Sequence, residues 1–234
     1  MKFKNRNLKV KVSKNNLIYL FVFAFVGLGA LQIPVNQLAG SRVSFTLVEL
    51  FAPISGAFLG SPLGVAAVFL MGALNIVLHG VSSIDKGSIV RLFPILFGVW
   101  AFSKKDKLSI FVCLAAIISF NLNPVGRSVW YYSLFWMIPI VLWPLREKFL
   151  IARSLASTFT AHAAGGAIWI WAFSLPAGVW TGLIPVVIAE RLLFAFGMSA
   201  SFVLMNNAVA ILSSKKLIPS GLSFESKYIF KSSK

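Results

Sequence analysis

Residues 181–200 read Thr181-Gly182-Leu183-Ile184-Pro185-Val186-Val187-Ile188-Ala189-Glu190-Arg191-Leu192-Leu193-Phe194-Ala195-Phe196-Gly197-Met198-Ser199-Ala200. One carboxylate and one guanidinium interrupt an apolar run that extends from 178 to 212. About 20 mostly apolar residues carry a helix across the hydrocarbon of a bilayer. This run exceeds that length, so lipid is its natural solvent. Further apolar runs lie near 16–33, 45–59, 63–79, 89–102, 108–122, 129–145 and 154–174. Several are short for a perpendicular crossing and need flanking residues or local thinning of the bilayer.

Composition agrees. The 234 residues are 58% hydrophobic and 12% charged, whereas roughly a quarter of a soluble domain is charged. A chain this short has no soluble core large enough to absorb the surplus. The formal net charge is +16, but the basic residues sit in the tails and in short loops between apolar runs. That placement orients a membrane protein and excludes a nucleic-acid-binding face.

The charges also count the crossings. With the amino-terminal tail inside, seventeen Lys/Arg fall on inward segments (1–14, 60–62, 103–107, 146–153 and 213–234). Four fall outside: Arg42, Lys86, Arg91 and Arg127. Arg191 alone lies within a span. This is the asymmetry of the positive-inside rule. The expectation is an all-α, polytopic transmembrane helix bundle in the cell membrane. It has eight spans, or six if some runs are re-entrant, with both ends cytoplasmic. The first run, although it follows six basic residues, lacks a clean small-x-small cleavage site and reads as a retained helix.

The two halves echo each other. Leu50-Phe51-Ala52-Pro53-Ile54 matches Trp136-Met137-Ile138-Pro139-Ile140, and Arg91-Leu92-Phe93-Pro94-Ile95 matches Gly182-Leu183-Ile184-Pro185-Val186. Chance similarity among apolar segments is the competing account. Four spans per half would make the copies parallel, as in some transporters. The divisions are a basic tail 1–14, halves 15–107 and 108–212, and a basic tail 213–234.

Few side chains carry chemistry. Glu190 and Arg191 are intramembrane charges, which are costly and commonly functional; they either pair with another helix or meet a ligand or ion. Glu49, near the outer end of its segment, anchors a substrate amine, pairs with Arg42 or Arg127, or is a solvated carboxylate. His162 lies in Thr158-Phe159-Thr160-Ala161-His162-Ala163-Ala164-Gly165-Gly166. There Ala161-x-x-x-Gly165 makes a close packing face; the imidazole either bonds across that contact or lines a cavity. Asn75 precedes His79 by one turn at the end of the third run. Trp130, Tyr131, Tyr132, Trp169, Trp171 and Trp180 suit an interfacial belt or a stacking wall. Cys113 reads as a small buried hydrophobe.

Enzyme templates fail. Two histidines without acidic or thiol partners at ligand spacing make no metal site. Gly197-Met198-Ser199-Ala200 lacks the second glycine of a nucleophile elbow. No phosphate loop or other cofactor motif is present, so no cofactor is expected.

The stretch Phe45-Thr46-Leu47-Val48-Glu49-Leu50-Phe51-Ala52-Pro53-Ile54-Ser55-Gly56-Ala57-Phe58-Leu59-Gly60-Ser61-Pro62-Leu63-Gly64 resembles the second and third helices of the substrate-binding S components of energy-coupling factor (ECF) vitamin transporters. The segment Ser133 to Arg146, with Met137-Ile138-Pro139-Ile140, is similar to the thiamine-type members. The resemblance covers about a third of the chain. It implies a non-enzymatic uptake subunit that binds a vitamin-like small molecule and is energised by a transmembrane coupling subunit with ATPases. The polar site would then be Glu49, Asn75, His162, Glu190 and Arg191. Two features depart from the family: eight runs instead of six helices, and Ala24-x-x-Gly27-x-x-Ala30 where an Ala-x-x-x-Ala coupling surface belongs. Two other classes compete. One is a membrane enzyme acting on a lipid-linked substrate, with His162 and Glu190 as acid and base. The other is a non-catalytic assembly protein.

Overall fold

The computed structural model describes residues 13–37, 44–79, 86–103 and 106–230. The basic stretch 1–12, Arg42, Lys104 and Lys105 lie outside the described residues. Nearly all of the described chain is helical. Helix α1 (Lys14–Leu31) starts at Ser13, whose hydroxyl accepts the Asn16 amide at 3.3 Å, an N-cap that satisfies one orphan donor. A short antiparallel hairpin, β1 (Pro34–Gln37) with β2 (Ser44–Thr46), follows; Pro34 pairs with Thr46 and Gln37 with Ser44. The all-helical expectation misses it, because three or four residues are too few to show an alternation.

Next comes a broken helix: α2 (Val48–Phe51), a 3-10 turn (Ala52–Ile54) and α3 (Ser55–Leu59). Pro53 sits in the 3-10 turn, where a missing amide donor is least costly. Gly60 then turns the chain with φ +84°, and Ser61-Pro62 opens α4 (Ser61–Leu78). That φ is open to glycine at no steric cost, and a first-turn proline loses only an amide that had no partner. The turn lets α3 and α4 touch backbone to backbone: a Cβ on Gly64 would lie 2.5 Å from the Gly56 Cα and N.

Helices α5 (Lys86–Ser103), α6 (Leu108–Leu122) and α7 (Pro124–Ser128) lead to a second broken segment. It runs as a 3-10 helix from Trp130 to Met137 and then as α8 (Ile138–Leu142). Pro139 lies in the first turn of α8. Helices α9 (Leu150–Ala172) and α10 (Ala177–Ser214) complete the bundle. Every apolar run of the sequence thus coincides with a helix or a broken helix. Three helices, α1, α4 and α10, are long and apolar enough to cross a membrane; the Ile89–Ser103 part of α5, α6 and the two broken segments are shorter and apolar.

The remaining long helix is polar for a reason. On α9, Ser154, Ser157, Thr158 and Thr160 are all buried, because α5, α6, α8 and α10 surround it. Small residues allow the approach. Ser157 Oγ donates to the Gly98 carbonyl at 2.8 Å; Cβ atoms built on Gly98 and Gly165 would meet Ala161 at 3.3 Å and Pro94 at 3.4 Å. Ala161 and Gly165 therefore face α5. On α1, Ala24 is buried, and Gly27 backs onto the Met71 sulfur of α4. Those two residues of the Ala24–Ala30 motif are spent inside the bundle, away from any partner. The outward faces, such as Phe21, Phe25, Phe111, Ile118 and Phe196, remain exposed and apolar.

Residues 215–230 cross one end of the bundle as a strap. Asn206 and Asn207 of α10 each bond it twice. The Glu225 N–H donates to Asn206 Oδ1 at 2.7 Å and Asn206 Nδ2 donates to the Glu225 carbonyl at 2.9 Å. Asn207 does the same with Phe230 N–H (2.7 Å) and the Tyr228 carbonyl (2.8 Å). Tyr19 Oη and Asn15 Nδ2 of α1 donate to the carbonyls of Pro219 and Ser220. The Ser223 amide reaches the Phe58 carbonyl of α3.

Two stability predictions follow from these contacts. Gly64→Ala forces backbone from backbone and is expected to cost about 3 kcal/mol, lowering Tm in detergent by roughly 6–12 °C; Gly178→Ala, with open space around it, should change stability by no more than about 0.5 kcal/mol. Asn206→Ala removes two buried bonds and should free the strap, read as faster limited proteolysis within 215–230 at unchanged expression. Equal cleavage of mutant and wild type would show that these bonds do not hold it.

Candidate functional site

At the end opposite the strap, the structure holds a cavity of about 350 Å³. Helix α4 supplies one wall at helical spacing: Val68, Met71, Asn75 and His79. Three- and four-residue steps put them on one face. Arg91, Leu92 and Ile95 of α5 form the second wall, Leu31 of α1 and Thr46 of β2 the rim, and Glu49 of α2 the third side. The Leu47 amide donates to the Ile33 carbonyl at 2.9 Å, so the hairpin hands the chain directly into the turn that carries Glu49.

The polar atoms of the cavity are partly ordered. Gln32 Nε2 donates to Asn75 Oδ1 at 3.1 Å and to the Leu28 carbonyl at 3.2 Å. His79 Nδ1 donates to the Asn75 carbonyl at 2.9 Å. Glu49 is half-buried and makes no hydrogen bond or ion pair with a described residue. Its carboxylate lies within electrostatic reach of Arg191 on one side and Arg91 on the other. The Arg91 guanidinium is exposed and stands 5.9 Å from the centre of the Trp169 ring.

Behind Glu49 lies the buried pair. Arg191 Nη2 is 3.7 Å from Glu190 Oε2, so two neighbours that start about 100° apart on the helix converge through their long side chains. Arg191 Nη1 donates to Thr158 Oγ1 at 3.2 Å. The guanidinium also lies 4.8 Å from the Phe194 ring centre and 5.5 Å from that of Phe45. Glu190 Oε1 and Arg191 Nε are buried without a hydrogen-bond partner among the described residues. A buried charge left partly unsatisfied is unusual.

His162 stands apart from the cavity. Trp136 Nε1 donates to its Nδ1 at 3.2 Å. Its Nε2 pairs with the Tyr132 hydroxyl at 3.1 Å. The rings of Tyr132, Phe135, Trp136 and Phe159 surround it. A ring nitrogen that accepts from an indole carries no proton, so this box holds neutral imidazole. Of the five residues singled out in the sequence, the cavity gathers Glu49 and Asn75. Glu190 and Arg191 back it, and His162 belongs to the aromatic core. Sequence reasoning missed Arg91 as a site residue, because it used that charge only for its sign in a loop. Its position three residues before Pro94, in one of the proline-bearing segments that the two halves share, was the available signal. The aromatic group divides as well: Trp130 and Trp171 are exposed, Tyr132 and Trp180 buried.

At the strap end, arginines cap α5. Arg153 Nε donates to the Phe102 carbonyl at 2.6 Å, and Arg146 Nη2 donates to the Ala101 carbonyl. Both meet a helix C-terminus, whose carbonyls lack partners and carry negative dipole. Arg153 also pairs with Glu225 of the strap at 2.6 Å. Burial, then the neighbouring Arg153 charge, pull Arg146 below its ordinary value.

Comparison of the chain with family models, with curated proteins and with solved structures finds no match. The reading of the site therefore rests on its geometry.

The buried pair is open to a double-mutant cycle. Glu190→Gln or Arg191→Met alone strands one charge and should cost about 3 kcal/mol. The double variant should be less destabilised than the sum by about 1–3 kcal/mol, measured by thermal unfolding in detergent. Strict additivity would mean the two charges are solvated separately.

Proposed function

We propose that this chain is a multi-pass protein of the cell membrane and the substrate-binding subunit of a small-molecule uptake transporter. The observation that carries the proposal is the cavity of about 350 Å³ that gathers Thr46, Glu49, Asn75, His79 and Arg91 against the apolar side chains of Leu31, Val68, Met71, Leu92 and Ile95. A concave site in which polar groups converge beside an apolar wall is a common form of small-molecule site.

Eight crossings, cytoplasmic ends and an outward-opening cavity are supported by which ends lie together. The start of α1 bonds the strap, as does the end of α3. Trp143 Nε1, beyond α8, donates to the Asp106 carbonyl before α6. At the other end, Trp171 of α9 bonds Ser119 of α6, and Tyr131 bonds Thr181 of α10. Successive segments thus alternate in direction. Of the described basic residues, Lys14, Lys107, Arg146, Lys148, Arg153, Lys215, Lys216 and Lys227 belong to the inward end, and the cavity opens at the end with Arg91 and Arg127. A parallel four-plus-four repeat is supported by contacts as well: α1 packs on α4 as α6 packs on α9, and α4 packs on α5 as α9 packs on α10.

The tight turn Gly60-Ser61-Pro62-Leu63-Gly64, behind the helix that bears Glu49, supports the likeness to S components. An energising partner would contact some surface other than Ala24 and Gly27, which α4 already covers. The lipid-enzyme reading is less supported, because both ring nitrogens of its proposed acid–base residue His162 are held by Trp136 and Tyr132.

Mass spectrometry of the protein purified in mild detergent tests the proposal. A small molecule should co-purify, and Glu49→Ala should reduce its occupancy about tenfold, matching the loss of one charge-assisted bond. Undiminished retention at normal expression, or an empty wild-type protein, would overturn it.

A further inference from the structure

We infer that the cavity takes a zwitterion: a small molecule that turns a protonated amine to Glu49 and an anionic group to Arg91. The inference rests on the binding-subunit reading and adds the ligand's charge pattern to it.

Two charged side chains of opposite sign line the cavity, and they come from different elements, α2 and α5. Neither forms an ion pair with the other or with another described residue. They are nonetheless close enough to feel each other's field. The second pair behind them adds no net charge: Arg191 lies 3.7 Å from Glu190, and its field reaches Glu49 as well. What the cavity offers a ligand is therefore one negative and one positive group at separate places. A cation alone would meet Glu49 and leave Arg91 facing the ligand unmatched; an anion alone would do the reverse. The half-buried Glu49 gains from a cationic partner, and the exposed Arg91 adds a charge-assisted bond to an anionic group. A molecule with both signs answers both.

The remaining lining fits that assignment. Asn75 Oδ1 is already occupied by Gln32, and its amide nitrogen, with no described partner, is a donor for an anionic group. Leu31, Met71 and Ile95 offer an apolar wall for the body of the ligand. The volume lies at the small end of ligand sites, which favours a compact molecule.

The test uses the full-length protein in detergent and isothermal titration with linear ω-amino acids, from glycine upward. Each is compared with its methyl ester, a cation, and its N-acetyl derivative, an anion. One or more zwitterions should bind at least about tenfold tighter than either derivative. Glu49→Gln should shift the preference toward the N-acetyl form, and Arg91→Gln toward the ester. Glu49→Asp and Arg91→Lys should keep the zwitterion preference, which a purely structural role would not produce. An ester or N-acetyl compound that binds as tightly as its parent overturns the inference, as does failure of every zwitterion to bind. A co-purified molecule of single charge that depends on Glu49 also overturns it, while leaving the binding-subunit reading intact. A protein that holds no molecule at all removes both.

Discussion

Helix α9 carries more hydroxyls than hydrocarbon would accept, and the bundle is arranged around hiding them. Ser154, Ser157, Thr158 and Thr160 each find a partner on their own helix or on a helix packed against it. Inside a bilayer no water is present to do the same. The enclosure has a steric condition. Only small residues at Gly98, Ala161 and Gly165 bring α5 close enough for Ser157 to reach a backbone carbonyl. Once α5 and α9 are joined, α4 and α10 pack on their flanks, and the cavity opens between α4 and α5.

The same enclosure sets the electrostatics. Arg191 crosses from α10 to Thr158 on α9, so the polar centre of the bundle holds the one basic residue that the topology rule leaves within a span. With Glu190 beside it and Glu49 nearby, the guanidinium sits among carboxylates rather than lipid. At the other end, Arg146 and Arg153 are not loose loop charges. They close the carbonyl end of α5, so residues that count toward orientation also terminate a helix.

Much of this was legible in the sequence, and the losses have physical reasons. Runs of apolar residues located the helices because lipid and a protein interior both select against charge. They did not reveal that residues 130–137 wind as a 3-10 helix, since the two helix types share composition. Nor did they reveal the hairpin at 34–46. Glu49 and Asn75 were recognisable as isolated polar residues near one end of their segments. That they share a cavity depends on how α2 lies against α4, which no local pattern encodes. His162 was equally conspicuous, and its aromatic box comes from Tyr132 and Trp136 some thirty residues away. A polar residue in an apolar run reports that something must satisfy it, without saying whether that is a ligand or the protein.

The strap has a consequence for how the molecule is made. Its anchors join residues far apart in the chain: Asn15 bonds Ser220, and Asn207 bonds Phe230. Helix α10, at roughly 57 Å from 38 residues, is nearly twice the thickness of the hydrocarbon, about 30 Å; the stretch past Asn206 is the part the strap covers. Until residues 219–230 are made, then, α1 waits with Asn15 and Tyr19 unmatched, and α10 with its paired asparagines bare. That end of the bundle can be latched only once residues 215–230 have been made, so α1 is fastened by residues some two hundred positions further along the chain.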